Sequence, residues 1–182
     1  MNPWSLLQSA VIGGKEYSIN TDFRDILEII GYLNDESKTI YLRWKIALSL
    51  FYNEEIPESD EEAAAQFLSD FIAYGKKDEK SGPKLIDWEQ DALLIVTDIN
   101  KVAGKEVRAE KFLHWWTFMS YFNGIGEGML STVVGIRSKK AKGKKLDKSE
   151  QEYYREHKSD VDFRQSDNSE KAEIQEYFNK WL

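Results

Sequence analysis

The chain has 182 residues, a formal net charge of −7 at neutral pH, 41% apolar and 31% charged residues, and no cysteine. That length suits one domain with a real hydrophobic core; the missing thiols exclude disulfides and thiolate metal sites, and the acidic balance argues against a dedicated nucleic-acid binder. No apolar run reaches the length of a membrane-spanning helix, and Met1-Asn2-Pro3-Trp4 lacks the basic-then-apolar pattern of a signal peptide, so a cytoplasmic protein is expected.

Leu6–Ile12 and Lys15–Ile19 flank Gly13-Gly14, a pair that supplies the positive φ of a two-residue turn, which predicts a β-hairpin. Such a hairpin is marginal alone and must pack on something. Asn20 or Thr21 is placed to cap a helix carrying Phe23, Ile26, Leu27, Ile30 and Leu33, which Asn34-Asp35 ends. A second helix is expected from about Ser37 to Tyr52, with Ile40, Trp44, Ala47, Leu48 and Phe51 on one stripe. Pro57 closes the connection, and Ser59-Asp60-Glu61-Glu62 reads as a capping box for a helix carrying Ala63, Phe67, Phe71 and Tyr74.

Gly75 to Pro83 is a polar loop, after which Asp87-Trp88-Glu89-Gln90 is another capping signature, ahead of Asp91, Ala92, Ile95 and Ile99. Gly104 stops that helix. The next is expected from about Arg108 to Asn123 and carries Leu113-His114-Trp115-Trp116-Thr117-Phe118. Gly124-Ile125-Gly126-Glu127-Gly128 interrupts, and Met129–Ile136 follows as a short helix. From Arg137 to Lys148 the chain carries Arg137, Lys139, Lys140, Lys142, Lys144, Lys145 and Lys148 against Asp147 alone, the composition of a mobile linker. Ser149 is placed to cap a helix through His157, Val161–Ser166 reads as irregular, and Asn168–Trp181 as a last amphipathic helix with Ile174, Tyr177, Phe178 and Trp181 on its apolar face. The fold class is mainly α: a helical core over 1–136 with an N-terminal hairpin, a basic linker over 137–148 and a helical tail over 149–182.

Little in the chain points to chemistry. His114 suits acid–base work, but His157 is remote and no nucleophile signature accompanies either, so a structural histidine is expected. Gly124-x-Gly126-x-Gly128 follows an aromatic helix rather than a strand and lacks the lysine and hydroxyl of a phosphate loop, so it reads as a helix break. Glu54-Glu55, Asp60-Glu61-Glu62 and Asp78-Glu79 fall at helix starts and in loops, where carboxylates are solvated and favour the helix dipole. The lysine run lacks interleaved aromatics for stacking on bases; an acidic surface on a partner or a second copy is the better match. No catalytic residue, cofactor or metal is expected. Neighbouring helical positions point about 100° apart, so one of Trp115 and Trp116 is expected inward and the other towards a neighbouring helix or a second molecule. Trp115, Trp116, Phe178 and Trp181 are the candidate protein-binding residues, since tryptophan is favoured at binding hot spots.

An ordered set of motifs carries a resemblance. Asn20-x-Asp22-Phe23-Arg24 follows the hairpin. Then come Ile86-Asp87-Trp88-Glu89-Gln90-Asp91-Ala92-x-x-Ile95, Leu113-His114-Trp115-Trp116-x-Phe118 and Ile136-Arg137-Ser138-Lys139. Over roughly Val11 to Lys139 the sequence resembles the "gene product fifteen" family of bacteriophages and prophages of Gram-positive hosts. The resemblance implies a role in building a long non-contractile tail. Such genes lie between those for the major tail protein and the tape measure protein, the position of tail assembly chaperones. These coat the tape measure in the host cytoplasm and are absent from the mature virion. The family has no known catalytic residues, and Asp22, Phe23, Arg24, Asp87, His114 and Arg137 are read as builders of the fold, with Asp22 or Asp87 pairing with Arg24 or Arg137. The partners implied are the tape measure protein, the major tail protein and further copies of the chain on the client, without membrane or nucleic acid. The rival readings are a virion component, such as a tail completion or head–tail connector protein, and a small nucleic-acid-binding regulator.

Overall fold

The computed structural model describes residues 4–74 and 82–164. Strands β1 (Ser9–Ile12) and β2 (Lys15–Ser18) pair antiparallel, Ser9 opposite Ser18 and Ile12 opposite Lys15. Gly13 and Gly14 take φ of 57° and 81°, the mirror-image turn that follows the twist of the strands. Ala10, Ile12 and Tyr17 alternate inward and bury one face of the hairpin.

Helix α1 (Phe23–Asn34) is capped by Asp22, not by Asn20 or Thr21: the Asp22 carboxylate accepts from the Arg24 N–H, while Asn20 is used instead to donate to the Leu50 carbonyl at 2.6 Å. Thr39 caps α2 (Ile40–Phe51), which packs along α1. Its buried stripe is Ala47, Leu48 and Phe51, with Trp44 half-buried. Ile40 was expected on that stripe but is 69% exposed, since α1 has ended at Asn34 before it could cover the first turn of α2. Ser59 does not cap the next helix. Glu58–Asp60 form a 3₁₀ turn, and α3 (Glu61–Ile72) then buries Ala64, Leu68 and Phe71, with Ala63 turned outward.

A turn over 88–91 leads into α4 (Ala92–Ala103), which Gly104 ends at φ 67°. Helix α5 (Trp115–Asn123) starts seven residues after the expected Arg108. The chain before it is a 3₁₀ turn at Val107–Ala109 followed by a bridge between Asp22 and His114. Phe23 N–H donates to the Leu113 carbonyl at 2.9 Å and Trp115 N–H to the Thr21 carbonyl at 2.7 Å, which spends on the start of α1 the backbone groups that an earlier helix would need. Helix α6 (Met129–Ala141) continues past the expected end at Ile136 into the basic stretch. Asp147, not Ser149, caps α7 (Lys148–Glu156), with Glu150 reciprocating on the Asp147 N–H, and α8 (Lys158–Val161) follows. The expected helix over Asn168–Trp181, with Phe178 and Trp181, lies outside the described residues, as does most of the polar loop after Tyr74. The main core gathers the hairpin and α1 to α5, and a smaller cluster of Val133, Ile136 and Val161 joins α6 to α8. No helix among the described residues is long and apolar enough to cross a membrane.

Candidate functional site

The family-motif residues Asp22, Phe23, Arg24, Asp87, His114 and Arg137 gather at two centres. In the first, Asp22 reads the end of the Glu110–His114 segment: one carboxylate oxygen accepts from Leu113 N–H at 2.9 Å and the other from Arg24 N–H at 3.0 Å and its guanidinium at 2.9 Å. Arg24 in turn donates to the Glu110 carbonyl at 2.5 Å. Phe23 stacks on Phe118, ring centroids 4.7 Å apart. His114 is the N-cap of α5. Its Nδ1 accepts from Trp116 N–H at 3.0 Å, so the proton sits on Nε2, which donates to the Leu7 carbonyl at 2.9 Å. Burial holds its pKa below the ordinary value, with the Leu7 carbonyl opposing. Both ring nitrogens are thus spent on the fold.

Both tryptophans are buried, and of the two expected neighbours for the second, a helix or another molecule, the structure shows a helix, α3. Their indole N–H groups donate to adjacent carbonyls at the end of α3, Trp115 to Ile72 at 3.1 Å and Trp116 to Phe71 at 3.0 Å. The last carbonyls of a helix keep acceptor capacity that its own N–H groups do not fill, so adjacent indoles suit adjacent carbonyls there. Trp115 then packs on Trp88 and Phe118, and Trp116 on Phe71 and Tyr74. They hold the end of α3 in place.

The second centre is Arg137. Its guanidinium pairs with both Asp91 oxygens at 2.6 and 2.9 Å and donates to the carbonyls of Leu85 (2.9 Å), Val161 (2.7 Å) and Asp160 (2.7 Å), while Phe163 lies over its face at 4.1 Å. All five donors are used. The partner is Asp91, not Asp87. Asp87 caps the 88–91 turn, accepting from Gln90 N–H at 2.8 Å and Glu89 N–H at 3.0 Å, and pairs with Lys84. Burial raises the Asp87 pKa, but the Gln90 N–H and Lys84 outweigh it and leave it below the usual carboxylate range.

Asp98 is a buried carboxylate that the sequence reading passed over. It accepts from Leu130 N–H at 3.0 Å, and a Cβ on Gly128 would stand 2.5 Å from it. The start of α6 therefore holds the chain's own carboxylate, and Gly128 is small to let that carboxylate approach. Among the described residues no group of three His, Asp or Glu is placed to hold a metal ion. Two lysines of the basic run are also engaged internally, Lys139 with Glu150 and Lys140 with Asp162, each at 2.5 Å.

An apolar patch is exposed at the start of α2. Ile40, Tyr41 and Leu42, three consecutive residues at the start of α2, are 69%, 65% and 44% exposed. Of the three, Ile40 lines a groove of about 440 Å³, together with Leu33, Arg43, Trp44, Ser69, Ile72 and Ala73, where the ends of α1 and α3 meet the first turns of α2. Its α3 wall is held by the Trp115 bond to Ile72. In the sequence, Ile40-Tyr41-Leu42 reads as part of an ordinary amphipathic helix. The signal that finds it is that Ile40 and Leu42 cannot share one helix face with Tyr41 between them.

The family model for the bacteriophage Gp15 protein matches residues 5–163. No curated protein and no solved structure matches the chain.

Proposed function

The chain belongs to the bacteriophage Gp15 protein family, and on that premise we propose that it is a tail assembly chaperone that binds and solubilises the tape measure protein before tail-tube subunits polymerise around it. The observation that carries this reading is the apolar groove of Leu33, Ile40, Trp44 and Ile72, in which Ile40 is exposed. A tape measure is a long helix whose apolar surface aggregates unprotected. A groove between helix ends, lined by Leu33, Ile40, Trp44 and Ile72, suits one apolar stripe of such a client. Many copies, each binding weakly, hold a long client strongly and still yield to replacement by the major tail protein. The acidic balance of the chain keeps the coated client soluble. The protein acts in the host cytoplasm, self-associates on its client, catalyses no reaction and is left out of the virion.

Co-expression with the neighbouring tape measure protein tests this. The parent chain is expected to keep the client soluble and to co-purify in many copies per client, and Ile40→Asp, at an exposed position of the groove lining, to lose the client while folding normally. A tape measure that precipitates while the chain elutes alone would sink the reading. Mass spectrometry of purified particles separates the rival: a structural virion component is present there at defined copy number, a chaperone is missing.

A further inference from the structure

The groove of Leu33, Ile40, Trp44 and Ile72 carries donors as well as apolar surface. We infer that it takes those stretches of the client helix in which an aspartate or glutamate stands one turn from the apolar stripe, and that Arg43 receives this carboxylate. The inference rests on the groove being the client site, as read above, and adds which part of the client enters it.

Among the described residues, Arg43, Trp44 and Ser69 supply the polar side-chain atoms of the lining, and all three can donate. The Arg43 Nε donates to the Lys38 carbonyl at 3.0 Å and its Nη1 to the Leu33 carbonyl at 3.2 Å. A guanidinium has five donors, so this one keeps others to spend. The Trp44 indole N–H and the Ser69 hydroxyl make no hydrogen bond among the described residues. An acceptor that enters with the apolar stripe therefore finds several donors waiting.

Charge makes that acceptor a carboxylate. Arg24, Arg108 and Arg137 each face one, on Asp22, Glu106 and Asp91. Arg43 forms no ion pair among the described residues, and the carboxylates near it in the chain fold are taken: Asp35 pairs with Lys38, and Glu61 with Lys45. Arg43 is half-buried, so a carboxylate reaching it is partly withdrawn from water, where a charge-assisted bond is stronger. The Lys38 and Leu33 carbonyls already hold the guanidinium in place, so little side-chain freedom is lost on binding. On a client helix, an acidic residue three or four positions from an apolar one lies on the same face. The molecule as a whole pulls the other way: at −7 it attracts basic segments and repels acidic ones. A preference for acidic stretches thus has to come from a local cation.

Overlapping peptides spanning the tape measure protein, immobilised and probed with the full chain, test this. The tightest binders are expected to carry Asp or Glu three or four residues from a large apolar residue. In such a peptide, changing that Glu to Gln should weaken binding roughly tenfold, and changing it to Lys should weaken it further. Arg43→Glu should reverse the order, so that the Lys form binds best. Because Arg43 also holds the end of α1, Ser69→Asp serves as a second variant: it puts a carboxylate in the same lining, leaves both carbonyl bonds in place, and should abolish the preference. Equal binding of the Glu and Gln forms, by a chain that loses both on Ile40→Asp, would overturn the inference and leave the client site standing. Peptides that bind Ile40→Asp as tightly as the parent would overturn both.

Discussion

The molecule contains two Asp–Arg pairs at helix starts, and they differ in what surrounds them. In the Asp91–Arg137 pair the side chains are 1% and 4% exposed, whereas in Asp22–Arg24 they are 14% and 40% exposed. Both arginines also hold remote carbonyls, Arg137 those of Leu85, Asp160 and Val161, and Arg24 that of Glu110. The lesson is that equal sequence signals carry unequal energies. A buried pair is little gain over a well-packed apolar pair, but removing one partner strands the other charge in low dielectric. An exposed pair keeps water as an alternative partner.

Arg137→Met breaks the comparison at its strong end. It leaves Asp91 buried with its Asp87 N–H bond alone and frees α8, and it is expected to lower stability by about 3–5 kcal/mol in urea unfolding. Arg137→Lys is expected to recover little, because one ammonium cannot reach both Asp91 oxygens and three carbonyls at once. A loss under about 1 kcal/mol for Arg137→Met would show that the site relaxes and admits water.

How far these centres are legible in sequence depends on what periodicity can resolve. Asp87 and Asp91 are one helical turn apart and share a face, so either is a fair partner for Arg137. The choice falls to Asp91 because the 88–91 turn directs Asp87 onto the Glu89 and Gln90 N–H groups. The hairpin, the stop at Gly104 and the break at Gly124–Gly128 follow from local backbone chemistry and were legible. The start of α5 was not, because it is set by the bridge to Asp22 at the far side of the sequence. Nor was the groove, which exists because α1 ends before it can cover Ile40. For Trp115 and Trp116 the helical period gives the angle between the two side chains, not whether the second meets a neighbouring helix or another molecule. Here Trp88 waits on one side and Phe71 on the other.

Trp116→Phe sharpens the comparison between packing and polar satisfaction. The ring stack on Phe71 persists while the Phe71 carbonyl keeps only the Tyr74 N–H, so a loss of about 1–3 kcal/mol is expected. If instead the change is neutral, a water has taken the indole's place. Arg24→Met follows with about 1 kcal/mol, since Asp22 retains the Leu113 and Arg24 N–H groups and the lost side chain was part-exposed. A cost for Arg24→Met equal to that of Arg137→Met, in the same denaturant series, would refute the burial argument.

The smallest expected effect separates the two centres by pH. His114 belongs to the Asp22 centre and is buried neutral, its pKa held below the ordinary 6.5 chiefly by desolvation. The unfolded chain therefore takes up a proton at a higher pH than the folded chain does. Stability from this group is fully present above 6.5 and declines as pH falls below it. Protonation would also place a hydrogen on Nδ1, where the Trp116 N–H now donates, and so would undo the cap of α5. His114→Asn keeps an N-cap acceptor without the titration. Unfolding followed between pH 7 and 5 should show the parent losing stability more steeply than His114→Asn. If parent and His114→Asn run parallel over that range, the imidazole is not held neutral, and the tautomer assigned to it is wrong.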